Sequence, residues 1–188
     1  MSIGKQKDSG FPVSQVRRFL EPGPITLITS AHQDRHNIMT HGWHTILEFS
    51  PSLVGCMISA ANHSFELICE SGGCVINLPT ADMIDTVVGI GNCSGSDTDK
   101  FKKFGLTAAP SDIVEAPLIK ECHANFECEI YDADMIEAYH FFIFEVVRAH
   151  VAPAPEHPET LHYKGDGRFM TAGGVLDKSH LFRPEMLG

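Results

Sequence analysis

The sequence predicts a mainly β protein: a small, closed or nearly closed β-barrel with helical insertions. Three observations carry that class. Strand-like runs outnumber helical ones, the helical runs are short, and no internal repeat or low-complexity tract interrupts them. With 188 residues, 43% hydrophobic and 20% charged, the chain is long enough for one domain with its own core.

Residues 12–20 read as a short helix, with Val13, Val16, Phe19 and Leu20 at helical spacing and Glu21-Pro22-Gly23-Pro24 stopping it. Residues 25–30 and 37–49 read as two strands of a hairpin, with the polar 32–35 as its turn. Pro51 opens a third strand, 53–59, whose nearly continuous apolar content predicts burial on both faces. A helix over 64–70 ends at Gly72-Gly73, and the strand 74–78 follows. Thr80 or Asp82 would cap a second helix reaching about Val88. After the turn-rich 89–95, residues 96–104 form a short helix closed by Gly105, with Phe101 and Phe104 three apart. Two long strands, 124–131 and 141–151, flank the polar 132–137 as a second hairpin. Three prolines then open a surface arm with little periodic pattern. The expected division is 1–24 as N-terminal helix and arm, 25–151 as the barrel, and 152–188 as a C-terminal arm on the barrel or on a dimer partner.

Lys and Arg total 14 against 24 Asp and Glu, and the formal charge of −10 repels polyanions. Nucleic acid and anionic membrane surfaces are therefore excluded as expected partners. The one basic knot, Lys100, Lys102 and Lys103, suits a single phosphate. The first ten residues contain no apolar targeting core, and no apolar run approaches the roughly 18 residues of a spanning helix. The six cysteines lie in apolar surroundings and read as reduced, mostly buried thiols, so a cytoplasmic location is expected.

Among the motifs, Asn37-Ile38-Met39-Thr40-His41-Gly42-Trp43 mixes polar and apolar side chains and ends on the sole Trp of the chain. Two readings stand: a strand with one solvated face, or a wall for a flat, half-polar ligand. His32, His36, His41 and His44 suggest a metal, but on one continuous strand His41 and His44 would point to opposite faces, so no metal site is expected. Cys122, His123 and Cys128 read as core. Gly89-Ile90-Gly91-Asn92-Cys93 follows a helix rather than a strand, so it fails as a dinucleotide fingerprint. Ser94-Gly95-Ser96-Asp97-Thr98-Asp99-Lys100-Phe101 suits a phosphate or, equally, an ordinary cap by Ser96 or Asp97 with exposed lysines. Asn62-His63-Ser64 carries the same two readings.

Taken in order, several strings resemble the flavin reductase-like FMN-binding split-barrel family, flavoredoxin-type members above all. They are Asn37-Ile38-Met39-Thr40 with Trp43, Pro51-Ser52-Leu53-Val54-Gly55, Asn62-His63-Ser64-Phe65-Glu66-Leu67-Ile68, and Val75-Ile76-Asn77-Leu78-Pro79. Ser94-Gly95 with Asp97, Asp99, Lys100 and Phe101, then Ala116-Pro117-Leu118-Ile119 and Glu127-Cys128, complete the series. The resemblance covers about 25–151 and implies an FMN-binding split β-barrel of Greek-key type, working as a homodimer with non-covalent FMN.

By the same resemblance, Met39, Thr40 and Trp43 would line the isoalloxazine. Asn37, Ser59, Asn62, His63, Ser64, Asn77, Ser94, Lys100 and Phe101 would complete the cofactor site toward the ribityl chain and phosphate. His140 would stand at the flavin or nicotinamide side as the catalytic position. Where many members carry Gly-Asp-His, this chain has Ala138-Tyr139-His140, and Phe144 stands where the family often has Gly. The implied activity is electron transfer from NADH or NADPH through FMN to a free flavin, ferric iron or a protein acceptor. The alternative is a non-enzymatic FMN carrier reduced by a redox partner protein.

Overall fold

The computed structural model describes residues 23–183 and 185. The helix predicted over 12–20 lies outside the described residues. Seven strands build the main sheet: β1 (Thr26–His32), β2 (Arg35–His41), β3 (His44–Glu48), β4 (Leu53–Met57), β5 (Gly73–Leu78), β8 (Ala124–Asp132) and β9 (Phe141–Val151). The short β6 (Ala108–Ala109) and β7 (Leu118–Ile119) pair with each other, as do β10 (Leu161–Tyr163) and β11 (Phe169–Thr171). The helices are α1 (His63–Ser71), α2 (Ile84–Gly91), α3 (Lys100–Phe104) and the single turn α4 (Ile136–Tyr139).

The sheet is antiparallel throughout, in the order β2-β1-β5-β8-β9-β4-β3. Its two edge strands are consecutive in the chain and only Gly42 and Trp43 separate them, so the sheet must curl back on itself. The result is a split barrel: chain crosses the seam, but no β2–β3 ladder does. Inside it, Ile28, Met39, Cys56, Ile58, Ile68, Cys74, Cys128, Phe142 and Phe144 pack together. Phe142 and Phe144 stack at 5.5 Å, so the bulky residue at 144 fills the barrel. A second core on the outer face joins Leu27 and Ile38 to Met83, Val87 and Ile90 of the α2 region, Phe101 of α3 and Leu161 of β10. Each such side chain, once buried, contributes about 1.5–3 kcal/mol.

Local signals set most boundaries. Gly72 and Gly105 both take the left-handed conformation, at φ 77° and 65°, and end α1 and α3 as predicted.

Four expectations are corrected. The second strand is not continuous over 37–49: it breaks at Gly42-Trp43, where the Trp43 carbonyl accepts a 2.9 Å bond from Met57 N–H. The imidazoles of His41 and His44 therefore lie side by side, 5.7 Å apart, rather than on opposite faces. The cap of α3 is Asp99, whose carboxylate accepts from Lys102 N–H, because the helix starts at Lys100 and leaves Ser96 and Asp97 outside it. Part of the polar stretch between β8 and β9 is helical, as α4. Finally, the segment after 151 is not only a surface arm. Leu161 is 1% exposed within the outer core, and its carbonyl accepts a 2.6 Å bond from Ile25 N–H.

Candidate functional site

Two adjoining cavities lie where β2, the N-terminus of α1 and the loop after α2 meet. The smaller, about 300 Å³, is lined by Asn37, Met39, Ala61, Asn62, His63, Gly91, Asn92, Cys93, Ser94, Gly95 and Lys100. The larger, about 940 Å³, is lined by Ile25, Thr40, His41, Gly42, Trp43, Val87, Val88, Gly91, Asn92, Tyr163, Gly167 and Phe169. Gly91 and Asn92 belong to both, so a polar chamber opens onto an apolar one.

Strand alternation explains the inner wall of the small cavity. Asn37 and Met39 share one face of β2, and both side chains are nearly buried. Asn37 donates from Nδ2 to Ser64 Oγ at 2.9 Å, which fixes its amide, while its Oδ1 is buried without a partner. A buried acceptor left unbonded is costly. Asn62 stands at the N-cap of α1, yet its side chain makes no cap bond. The positive end of α1 thus faces the cavity beside Asn62 and His63, an arrangement that favours anions. Across from it, Gly95 comes so close to Asn37 that a Cβ would lie 2.5 Å from Asn37 Cγ and collide with Oδ1. Only glycine permits that approach.

Lys100 reaches the cavity from behind. It is 5% exposed, and its ammonium donates to the carbonyls of Ile38 at 2.7 Å and Ile90 at 3.1 Å. It therefore ties β2 to the end of α2 while its third proton remains. Burial pulls its pKa below the ordinary lysine value, with Cys93 and Asp97 opposing. In the larger cavity, Thr40 donates to the Val87 carbonyl at 2.6 Å, so its hydroxyl is already engaged. His41 is buried and bonds the Met57 carbonyl through Nε2 at 3.1 Å. Burial first, then neighbouring His44, lowers its pKa to about 4, although the Met57 bond opposes them.

Of the residues expected at a cofactor, Asn37, Met39, Asn62, His63, Ser94 and Lys100 meet at the small cavity, and Thr40 and Trp43 at the large one. Ser64 is fully buried behind Asn37, and Ser59 shapes the turn before α1 by accepting from Ala61 N–H. Two residues fall elsewhere. Asn77 is fully buried in the sheet, donating to Leu27, Val75 and Thr29 and accepting from Ile119 N–H and Asn125. Its hydrogen-bonding capacity is used in holding strands together. Phe101 is packed in the outer core. His140 lines a third cavity of about 560 Å³ with Ala60, Phe65 and Ile136, its ring edge-on to Phe65 at 5.5 Å.

Reading the sequence missed Gly91 and Asn92, which were weighed only as a failed dinucleotide motif, and the hairpin residues Tyr163, Gly167 and Phe169; Gly95 stood in the phosphate-suited string without being taken as a site residue. The signal for the latter was the turn string Gly165-Asp166-Gly167-Arg168 between two short apolar-polar runs.

Among the described residues, one group places three ligand-type atoms within 4.8 Å: Asp112, Glu127 and His150. The Glu127 carboxylate there accepts from the N–H groups of Asp112, Ile113 and Val114 and bonds His150 Nε2 at 2.7 Å. Burial pushes its pKa up, but these donors outweigh it and hold the carboxyl at about 2. Glu127 latches the 112–114 loop onto β8.

An antiparallel split barrel whose polar chamber opens onto an apolar one defines the class of the fold and site. The sequence profile of the flavin reductase like domain matches residues 17–172, and the chain belongs to that family. It is 35% identical over 130 residues to an uncharacterised protein of Pyrococcus abyssi, covering 69% of this chain and 74% of that one. Another from Archaeoglobus fulgidus is 33% identical over 135 residues, covering 72% and 76%. Among solved structures, flavoredoxin of Desulfovibrio vulgaris superposes with a TM-score of 0.80 at 24% identity, over 93% of this chain and 97% of that one. An FMN-binding domain of a flavin reductases-like enzyme from Shewanella baltica gives 0.74 at 25%, over 88% and 94%.

Proposed function

We propose that this chain binds FMN non-covalently across the two cavities and works as a flavin reductase-like redox protein. The observation that carries this is the convergence of Asn37, Asn62, His63, Ser94 and Lys100 at a small polar cavity beside the α1 N-terminus, which opens onto the larger apolar cavity at Gly91 and Asn92. The α1 N-terminus, Ser94 and Lys100 would hold the phosphate end. Met39, Thr40 and Trp43 would carry the flat end toward the larger cavity, where apolar walls exclude water. When bound, the flavin supplies hydride and single-electron chemistry, and the protein orients it and sets the charge around it. The expected route runs from NADH or NADPH to a free flavin, ferric iron or a protein acceptor.

One observation favours the second reading, a non-enzymatic carrier reduced by a partner protein. His140, the position expected beside the nicotinamide, lies against Phe65 in the third cavity, and the string before it departs from the family. Anaerobic mixing with NADH and NADPH separates the two: rapid bleaching of the flavin band supports the reductase, and an unchanged band supports the carrier.

The homodimer belongs to the proposal as well. On and just beyond the edge strand β3, Ile46, Leu47 and Phe49 are exposed, apolar surface that a second copy would cover. All six cysteines are free thiols, which supports a reducing, cytoplasmic setting, and no helix among the described residues is long and apolar enough to cross a membrane. The deciding experiment for the cofactor is purification followed by denaturation. A yellow protein releasing FMN is expected; a colourless protein that does not quench added FMN fluorescence refutes the reading.

A further inference from the structure

We propose that the third cavity and the α4 turn beside it form a docking surface for a basic protein that presents an apolar knob. The cavity, about 560 Å³, is walled by Phe65 of α1, Ile130 of β8 and Ile136 of α4, and Glu137 is the only Asp, Glu, Lys or Arg among its described lining residues. Next to it Met135 and Tyr139 stand one helical turn apart, 41% and 68% exposed. The turn that carries them is pinned from below. Ile136 packs on the barrel core, and His140, at φ 53°, donates its N–H to the Ile136 carbonyl and accepts from Ile58 N–H, both at 2.9 Å. A Met and a Tyr held outward on a fixed turn, beside an apolar recess, have the make-up of an interface centre. Ala60 lines this cavity and Ala61, Asn62 and His63 line the small one, so the surface adjoins the cofactor site across a single turn of chain.

Charge selects the occupant. No Lys or Arg occurs anywhere in residues 36–99 or 121–147, and these two segments, which supply every wall of the cavity, hold 14 of the 24 Asp and Glu. Arg35 partly offsets Glu66 and Glu70 on α1. Glu129, Asp132, Asp134 and Glu137 have no such partner: none of them is in an ion pair with a described Lys or Arg, and all four lie within one stretch of β8, α4 and the loop between them. Such a rim draws in a cationic surface and speeds its encounter. It also repels the pyrophosphate of a nicotinamide nucleotide, which would find no Lys or Arg on the described walls. A protein with lysines around an apolar centre satisfies both the rim and Met135 and Tyr139. As a docking surface this face stands on its own residues; that the visitor is the redox partner rests on the FMN carrier reading.

Isothermal titration calorimetry at low ionic strength tests this with cytochrome c as the basic probe and succinylated cytochrome c as its acidic counterpart, on FMN-loaded and FMN-free protein. Saturable, one-to-one binding of the native probe is expected, with none of the succinylated one. Asp134→Lys combined with Glu137→Lys should weaken it by about tenfold or more. Glu156→Lys combined with Glu159→Lys makes the same change in net charge on the exposed segment after β9, and should weaken it by less than about threefold. Tyr139→Ser, which keeps the charge and removes an exposed ring, should cost about tenfold without loss of thermal stability. Equal losses in the two lysine variants, full affinity in Tyr139→Ser, absence of native-probe binding, or binding of the succinylated probe overturns the proposal. So does a Tyr139→Ser protein that sediments as a monomer where the wild type is a dimer, because a second copy would then own this face. If the chain does not hold FMN, the flavin reading falls, and the titration of the FMN-free protein alone decides the docking surface.

Discussion

Replacing Gly95 by alanine should damage ligand binding far more than stability. A Cβ there would sit 2.5 Å from Asn37 Cγ and 3.0 Å from His63 Cδ2. Asn37 cannot swing away freely, because its amide is 3% exposed and bonded to Ser64. The loop carrying Gly95 includes the exposed Asn92, Ser94, Ser96 and Asp97, so it is the loop that must retreat. Folding stability should change by less than about 1 kcal/mol, since the moving residues are on the surface. The cavity, however, loses its fit, and overpacking of a fitted contact costs about 1–3 kcal/mol. At 1.36 kcal/mol per factor of ten, the FMN dissociation constant should rise by about 5- to 150-fold. Titration of FMN fluorescence against the FMN-free protein measures it, with a thermal melt as the control. Gly91→Ala is the internal comparison: its Cβ would meet Thr40 Oγ1 at 3.5 Å, an ordinary contact, and alanine suits the helix. Wild-type affinity in Gly95→Ala, or equal losses in both variants, would refute the geometry.

Lys100→Met should lower stability by about 1–3 kcal/mol in a denaturant melt, because the carbonyls of Ile38 and Ile90 lose a buried charged donor; FMN retention should fall with it. Glu127 offers a pH test. Its folded-state pKa is depressed from 4.5 to about 2, so its contribution is complete above the unfolded value and is lost as pH falls toward 2. That contribution is about 3 kcal/mol, and the stability gap between wild type and Glu127→Gln should shrink steadily from about pH 5 to pH 2 in chemical denaturation. A gap independent of pH would remove Glu127 from the latch role. Phe142→Ala, which deletes a fully buried ring stacked on Phe144, should cost about 3–5 kcal/mol by the same melt.

Much of the fold was legible because its signals are local. Glycine at a helix end, proline before a strand and β-branched runs act on their nearest neighbours, and β1, β5, α1, β8 and β9 emerge close to where those signals put them. The site was legible by half. Asn37 and Met39 share a strand face and Asn62 and His63 a helix start, so their grouping follows from spacing. Asn77 looked equally suitable by residue type, and the sheet consumed it instead, because five hydrogen-bond partners from four segments converge there.

By itself, then, the sequence determined a β-rich domain of charge −10 and its helix stops. The tertiary structure alone decided three things. It broke the second strand at Gly42-Trp43, so that its halves became opposite edges of the sheet. It set Gly95 against Asn37, although a loop and a strand far apart in the chain carry them. And it folded the segment after 151 back so that Leu161 enters the outer core and Tyr163 and Phe169 wall the larger cavity. Each of these depends on contacts between distant segments, whose free energy comes from surfaces that exist only once the barrel has closed.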